Sequence, residues 1–347
     1  MPRQIALMNY AEIETFPPKP IVTFRHVFEG GSEDVSPNYR HGAKYGNGGF
    51  TGQRCMLHRD GPYTGQRVMF RLDDHINRLL ETIAALEWMT IPWTRDGLKE
   101  AMFRLMVANP DDDYLSLVFA SGGDVGVMPE GRQPEHHVFI NTRDFDPVRH
   151  PYLGAEAMVN GMTVRLTELD VRRRPPGKLA RAKVSANYLD SNVAKHRALK
   201  AGCKDALLLD YTGDHLAELS VSNVIGLFDM TLISPDASSG ALDGITKQTT
   251  QTIAYEVHGY PTTEQPISLK MLKDMRMMIA CGTAIGDVRV NRIVNPDGSV
   301  LWEQSNDPEA IKTANTLCTD IWRVKRGGIP DFHPEWFEPI PQEYLRP

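Results

Sequence analysis

Between Thr142 and Pro151 the chain reads Thr-Arg-Asp-Phe-Asp-Pro-Val-Arg-His-Pro, a run too polar and too broken by proline to continue a helix or a central strand. It divides the 347 residues near position 147, and that length suits two domains better than one. Helical and strand patterns mix on both sides, so the expected fold class is mixed α/β (α+β) in two domains. The expected division is an irregular, proline-bearing extension over 1–40, a small α/β domain over 41–142, a connection over 143–152 and a large domain over 153–347.

In the first half, Val68–Arg71 is strand-like, and Asp73 or Asp74 can cap a helix whose Ile76, Leu79, Leu80, Ile83 and Leu86 follow helical spacing. A second amphipathic helix is predicted over Thr94–Val107, with Leu98, Met102, Leu105 and Met106 on one face, then strands over Tyr114–Ala120 and His137–Asn141. In the second half the predicted strands are Met162–Leu166, Ala206–Asp210, Asn223–Phe228 and Met277–Ala280. The predicted helices are Asn187–Ala201, closed by Gly202, Thr246–His258 and a closing helix over Ser305–Arg323.

Composition narrows the function classes. With 41% hydrophobic residues the chain can bury a large core without staples. A net charge of -6 argues against a nucleic-acid binder, and Arg172-Arg173-Arg174, followed by two prolines, reads as a turn or loop edge, with one arginine facing a site near Lys183 as the lesser alternative. Cys55, Cys203, Cys281 and Cys318 are scattered, which suits reduced thiols. The start leads into no long apolar stretch, and no apolar run is long enough for a membrane helix. A cytoplasmic protein that binds neither nucleic acid nor membrane is therefore expected. The histidines, His136-His137 among them, lack metal-ligand spacing. Gly46-Asn47-Gly48-Gly49 and Gly122-Gly123 miss the dinucleotide fingerprint and read as tight turns, and no Gly-x-Ser-x-Gly motif appears.

The chemistry-bearing residues gather around one lysine. Arg181-Ala182-Lys183-Val184-Ser185-Ala186-Asn187-Tyr188-Leu189 places Lys183 just before a helix and five residues before an aromatic hydroxyl. Glu218 lies in the mainly apolar, small-residue run Leu216–Asn223, and Leu242-Asp243-Gly244-Ile245-Thr246 leads straight into a helix. Cys281-Gly282-Thr283-Ala284 forms a second turn, and upstream Asp74-His75-Ile76-Asn77-Arg78 offers an arginine early on a helix. Singly each has an ordinary structural reading. Together they meet the demands of pyridoxal 5'-phosphate (PLP): a lysine for a Schiff base and proton transfer, a carboxylate for the pyridine nitrogen, and helix-start N–H groups plus a cation for the phosphate.

In order and spacing these stretches resemble the class IV, or fold type IV, PLP aminotransferases, and most nearly the branched-chain amino-acid aminotransferases. The resemblance covers roughly residues 40–295 and includes Tyr45-Gly46, Phe50-Thr51-Gly52-Gln53-Arg54, Gly123-Asp124-Val125-Gly126-Val127 and Tyr152-Leu153-Gly154-Ala155-Glu156-Ala157. It implies a two-domain fold like that of D-amino-acid aminotransferase, with the cofactor in the interdomain cleft, and a homodimer. It implies a ping-pong exchange of an amino group between an amino acid, a branched-chain-like L-amino acid favoured, and a 2-oxo acid. Lys183 would form the Schiff base, Tyr188 would bond the cofactor's ring oxygen and Glu218 its pyridinium nitrogen. Arg78, the N–H groups of Ile245 and Thr246, and Thr283 would hold the phosphate, with Leu242 on the ring face. Thr283, Ala284 and Tyr114 would receive the substrate α-carboxylate, and Tyr45 and Phe50 would line the side-chain pocket.

The departures cluster on the substrate side. Thr51 stands where the family usually has glutamate. Tyr114-Leu115-Ser116-Leu117 lacks the arginine that branched-chain enzymes place two residues after the tyrosine, where it receives a glutamate side chain. Ile285-Gly286-Asp287-Val288-Arg289-Val290 replaces an acidic residue and a Thr-Pro pair, and Met275-Arg276 replaces an acidic pair. Arg54, Arg40 or Arg289 could replace the missing cation. The same fold leaves room for a PLP lyase similar to the aminodeoxychorismate lyases, for a transaminase of D-amino acids or amines, or for a non-catalytic relative.

Overall fold

A computed structural model describes residues 3–9, 21–27, 46–89, 93–121, 136–146, 148, 153–329 and 331–345. Tyr45, Arg40, Gly122–Val127 and Tyr152 lie outside these residues, as do the side chains of His136 and His137. The chain forms two compact units. One contains the chain up to Phe145, the short segment Ala182–Ala186 and everything from Arg326 onward; the other contains Asp146–Arg181 and Asn187–Lys325.

The first unit is built on strands β1 (Arg3–Asn9), β2 (Ile21–Val27), β3 (Gly48–Leu57), β4 (Arg67–Phe70), β5 (Tyr114–Ser121) and β6 (His136–Arg143), with helices α1 (Leu72–Ala85) and α2 (Arg95–Ala108). The expected irregular extension therefore holds two strands, which pair with each other, and β1 continues onto β6. Strand alternation sends Cys55, Leu115, Leu117, Phe119, Val138 and Ile140 to one face. There they form a core with Leu72, Ile76, Leu79 and Ile83 of α1 and Leu98, Met102, Leu105 and Met106 of α2. Thr94 caps α2 by accepting from Gly97 N–H at 3.1 Å. Neither Asp73 nor Asp74 caps α1: Arg71 takes the cap position at φ 53°, and the two aspartates sit in the first turn. Arg71 N–H donates to Trp336 O at 2.6 Å and its Nε to Asp74 at 2.6 Å, which hold this left-handed residue in place.

The second unit carries strands β7 (Met162–Leu166), β8 (Asp205–Leu209), β9 (Leu216–Leu219), β10 (Asn223–Phe228), β11 (Thr231–Ser234), β12 (Thr262–Glu264), β13 (Met275–Gly282), β14 (Gly286–Val294) and β15 (Val300–Glu303). Its helices are α3 (Gly154–Asn160), α4 (Lys178–Arg181), α5 (Tyr188–Lys200), α6 (Ile245–Thr252) and α7 (Pro308–Lys325), and α6 runs into a π-helical turn, Ile253–Val257. The sheet order is β12-β11-β10-β13-β14-β7-β8-β9, with β15 on β14. Pairing is parallel between β14 and β7 and between β7 and β8, and antiparallel between β8, β9 and between β10, β13, β14.

α7 does not close the fold. The chain continues into β16 (Phe337–Pro339), which pairs with β4, and the first unit's sheet reads β16-β4-β3-β5-β6-β1-β2. A single domain over 153–347 therefore loses its last stretch to the first unit. Phe70 packs edge-on against Trp336 and tilted by 50° against Phe337 there, with ring centroids under 6 Å apart in each pair, a favourable aromatic geometry.

Candidate active site

In the first unit Lys183 is fixed by its backbone. Its N–H donates to Thr82 Oγ1 at 3.1 Å, its carbonyl accepts from Phe50 N–H at 3.2 Å, and Val184 bridges to Gly49. That approach requires glycine at 49: a Cβ there would lie 2.6 Å from Thr82 Cγ2 and 3.2 Å from Lys183 O. Of the expected glycine turn, only Gly46 has positive φ; Gly48 and Gly49 are strand residues. The Lys183 Nζ lies 4.8 Å from the centre of the Phe50 ring, so the amine rests on an apolar face. Thr82 also donates to Arg78 O at 2.7 Å, which joins the lysine's strand-like segment to α1.

Arg78 Nη2 donates to Thr51 Oγ1 at 3.2 Å and reaches His75 Nδ1 at 3.3 Å, while Thr51 and His75 lie 3.0 Å apart. With a donor aimed at Nδ1, the His75 ring proton belongs on Nε2. Thr51 accepts from Arg78 without neutralising it, as a carboxylate at this position would do.

The other face of the β3-β5-β6 sheet carries Phe50, Gly52, Arg54, Tyr114, Ser116 and Arg143, since their strand neighbours point into the core. Tyr114 lies across Gly52, where a Cβ would sit 2.0 Å from its hydroxyl. Burial pushes the Tyr114 hydroxyl up, while Arg143 and Arg54 pull it down. Arg54 is fully buried and bound to Asp113 Oδ2 at 2.6 Å and Phe145 O at 2.9 Å.

In the second unit Glu218 is the penultimate residue of β9, beside the tight β9–β10 connection, where Leu219 N–H donates to Ser222 O at 2.7 Å. Its Oε2 accepts from Asn223 Nδ2 at 3.4 Å and from Leu242 N–H at 3.3 Å, and its Oε1 lies 3.2 Å from Arg173 Nε. Asn223 Nδ2 also donates to Leu242 O at 2.7 Å. Asn223 pairs with Cys281, so the Gly282-Thr283-Ala284 turn lies at the same end of the sheet. A Cβ on Gly282 would lie 2.9 Å from Ser222 Oγ. Ile245 and Thr246 open α6 and are buried; Gly244 is its cap residue and no side chain caps the helix. Tyr188 opens α5 and is half-buried.

Sequence reasoning missed Arg173, Asn223 and Thr82. The middle member of the arginine run is no loop edge: Arg173 is buried and donates to Gly240 O and Ala180 O as well as pairing with Glu218. Two of the replacement cations are committed elsewhere. Arg54 is neutralised by Asp113, and Arg289 donates to Val159 O at 3.0 Å. Arg276 pairs with Asp307 and Glu309. Among the described residues no cluster of three or more His, Cys, Asp or Glu could hold a metal ion.

These features fit PLP. The start of α6 has no side-chain cap, and its first-turn N–H groups and dipole favour a phosphate. Beside Gly282, Ser222 Oγ is buried without a hydrogen-bond partner among the described residues. Glu218 is a carboxylate held by a guanidinium, an amide and a backbone N–H, as an anion facing a ring N–H must be.

Residues 62–293 match the family described as amino-transferase class IV. A putative branched-chain-amino-acid aminotransferase of Methanocaldococcus jannaschii is 31% identical over 265 residues, 76% of this chain and 83% of that protein. The branched-chain-amino-acid aminotransferase of Pseudomonas aeruginosa is 30% identical over 230 residues, 66% of this chain and 70% of that protein. Among solved structures, a T.th. branched-chain amino acid aminotransferase with pyridoxamine 5'-phosphate superposes with a TM-score of 0.77 at 25% identity, over 98% of this chain and 99% of that one. The Escherichia coli enzyme shares the fold, with a TM-score of 0.72 at 22% identity over 98% and 99% of the two chains. By its sequence match, its fold and the residues gathered around Lys183 and Glu218, the chain belongs to the class IV aminotransferases, which use PLP.

Proposed function

We propose that this PLP-dependent aminotransferase moves an amino group between a branched-chain-like L-amino acid and a 2-oxo acid, with Lys183 as its catalytic residue. The observation that carries the assignment is the anchoring of Lys183: both sides of its backbone are hydrogen-bonded and its amine rests on Phe50. PLP, when bound, supplies an aldehyde carbon and an electron-withdrawing ring. Lys183 Nζ would hold that carbon and, when not so engaged, would carry the proton to and from the substrate's α-carbon. An amine on a rigid backbone and an apolar ring begins each transfer close to its target and poorly hydrated.

Glu218 is proposed to keep a proton on the ring nitrogen, and Tyr188 to bond the ring oxygen. Arg78, the Ile245 and Thr246 N–H groups and Thr283 would hold the phosphate, with Leu242 against the ring. Tyr114 with the Thr283 and Ala284 N–H groups would take the substrate α-carboxylate, and Phe50 would line the side-chain pocket. Branched-chain preference is supported by the names of the two relatives reported above. A cytoplasmic homodimer is the accompanying expectation; among the described residues no helix is long and apolar enough to cross a membrane.

The test is the absorbance of the purified holoenzyme before and after L-leucine or L-glutamate. Conversion of the bound cofactor from its aldehyde to its amine form is the expected result. No conversion by either, with pyruvate released from aminodeoxychorismate without an amino acceptor, would replace this reading with a lyase, and conversion by D-amino acids alone would reverse the stereochemistry.

A further inference from the structure

We propose that Asp287 is a positioning residue for the cofactor phosphate, tying together the two elements of the second unit on which the proposed phosphate ligands lie. The inference rests on the PLP-binding reading and deepens it. Ile245 and Thr246 open α6, and Thr283 lies on the turn between β13 and β14. Asp287 touches both elements. Its backbone pairs with Cys281 and, with the Gly282–Gly286 pair, closes the base of that turn. Its side chain is fully buried and reaches Thr250 Oγ1 of α6 at 2.7 Å.

The contact turns on a single proton. Thr250 Oγ1 also lies 2.9 Å from Thr246 O, one helical turn earlier. A hydroxyl carries one proton and a carbonyl carries none. When Thr250 donates to Thr246 O, its contact with Asp287 needs a proton from the carboxyl. The complete chain therefore runs from the Asp287 O–H to Thr250 Oγ1 and on to Thr246 O, and it exists only with Asp287 neutral. An ionised Asp287 can only accept, so Thr250 must turn its proton away from the Thr246 carbonyl. That carbonyl and the Thr246 N–H flank one Cα, so the change re-aims an N–H assigned to the phosphate. The surroundings favour the neutral form. Asp287 Oδ1 makes no hydrogen bond among the described residues, and burial raises the carboxyl to about 7. The titratable groups facing it are Cys281 on β13 and Cys318 and Lys325 on α7. The Lys325 charge and the Cys281 thiol pull towards ionisation without overcoming burial. Lys247 of α6 is bound by Asp243 at 3.0 Å and Glu264 at 2.5 Å, and Arg289 of β14 donates to Val159 O.

The test measures binding that depends on the phosphate. Full-length protein freed of cofactor is dialysed to equilibrium against PLP and against pyridoxal, which lacks the phosphate, at pH 6 and pH 8.5. The ratio of the two affinities is compared among wild type, Asp287→Asn and Asp287→Ala. Asp287→Asn, whose amide can donate to Thr250 at either pH, is expected to match the wild-type ratio at pH 6 and to exceed it at least fivefold at pH 8.5. Asp287→Ala is expected to lower the ratio at least fivefold at pH 6, with pyridoxal affinity within twofold of wild type. Adding Thr250→Val to wild type and to Asp287→Asn should abolish their difference at pH 8.5. Wild-type and Asp287→Asn ratios that agree within twofold at both pH values overturn the proposal, whether or not Asp287→Ala folds. Equal losses of PLP and pyridoxal affinity in Asp287→Ala overturn it as well, by reducing Asp287 to general structure. Wild type that binds PLP no tighter than pyridoxal would instead overturn the phosphate site itself, and wild type that binds neither would overturn the PLP-binding reading.

Discussion

Arg173 Nε lies 3.2 Å from Glu218 Oε1, and both side chains are nearly buried, at 7% and 12% exposure. The guanidinium also satisfies the Gly240 and Ala180 carbonyls. It therefore acts on the proposed ring-nitrogen partner twice, as a countercharge and as a clamp on the loop that carries Leu242. Arg173→Met strands a buried carboxylate and two carbonyls, and such losses typically cost about 3–5 kcal/mol for the broken pair alone. The expected outcome is a lower melting temperature and at least a tenfold loss in kcat. Arg173→Lys should recover stability better than turnover, because one ammonium cannot reproduce the fork. Equal recovery of both would reduce Arg173 to a structural role.

Thr82 joins two of the proposed site residues of the first unit by accepting from Lys183 N–H and donating to Arg78 O. Thr82→Val keeps the shape but leaves the Lys183 N–H unpaired, a loss of about 1–3 kcal/mol. We expect slower covalent attachment of PLP, measured by borohydride trapping and intact mass, and rescue by Thr82→Ser. Lys183→Ala should give no trapped cofactor and a turnover loss of at least a thousandfold, while PLP still binds reversibly. Trapping at wild-type yield in Lys183→Ala would remove that lysine from its assigned role.

The family was legible where chemistry dictates residue type. Lys183, Glu218, Arg78 and the Gly-Ile-Thr and Gly-Thr-Ala turns stand in an order that few other reactions require, and strands and helices with clear periodicity, such as Tyr114–Ser121 and Leu72–Ala85, were found close to their true bounds. What failed to show was whatever depends on a distant partner. Arg172-Arg173-Arg174 looks exposed because its neighbours are charged and proline follows. Arg173 is buried only because Gly240, 67 residues later, brings a carbonyl to it. Likewise β16 is only three residues long and exists through pairing with β4, and the left-handed Arg71 is held by the carbonyl of Trp336. Local pattern carries no trace of such partners.

Gly244 has an ordinary φ of -80°, so any residue could adopt its backbone. What requires glycine is Asn223, whose Oδ1 would lie 1.8 Å from an added Cβ. Gly244→Ala must therefore displace either the start of α6 or the amide that holds Glu218 and Leu242. We expect PLP affinity, measured by equilibrium dialysis, to fall at least tenfold, and Asn223→Ala in the same chain to restore part of it by vacating the contact. Unchanged affinity in Gly244→Ala would show that neither element is needed for the cofactor.

Asp287, one of the departures after the Gly-Thr-Ala turn, is fully buried; burial raises its carboxyl to about 7, against the pull of the Thr250 hydroxyl at 2.7 Å, the Lys325 charge and the Cys281 thiol. In the unfolded chain it titrates near 3.8. Between these values the folded protein retains a proton that the unfolded chain has released, so this group's contribution is fully present below about pH 4 and is lost as pH rises towards about 7. Each unit of separation corresponds to about 1.4 kcal/mol, giving a total effect on the order of a few kcal/mol. Asp287→Asn keeps a polar partner for Thr250 and removes the titration. Its melting temperature should fall less than that of wild type between pH 5 and 7.5, with the two curves parallel above pH 8. Curves parallel across the whole range would mean that the Lys325 charge holds Asp287 ionised throughout.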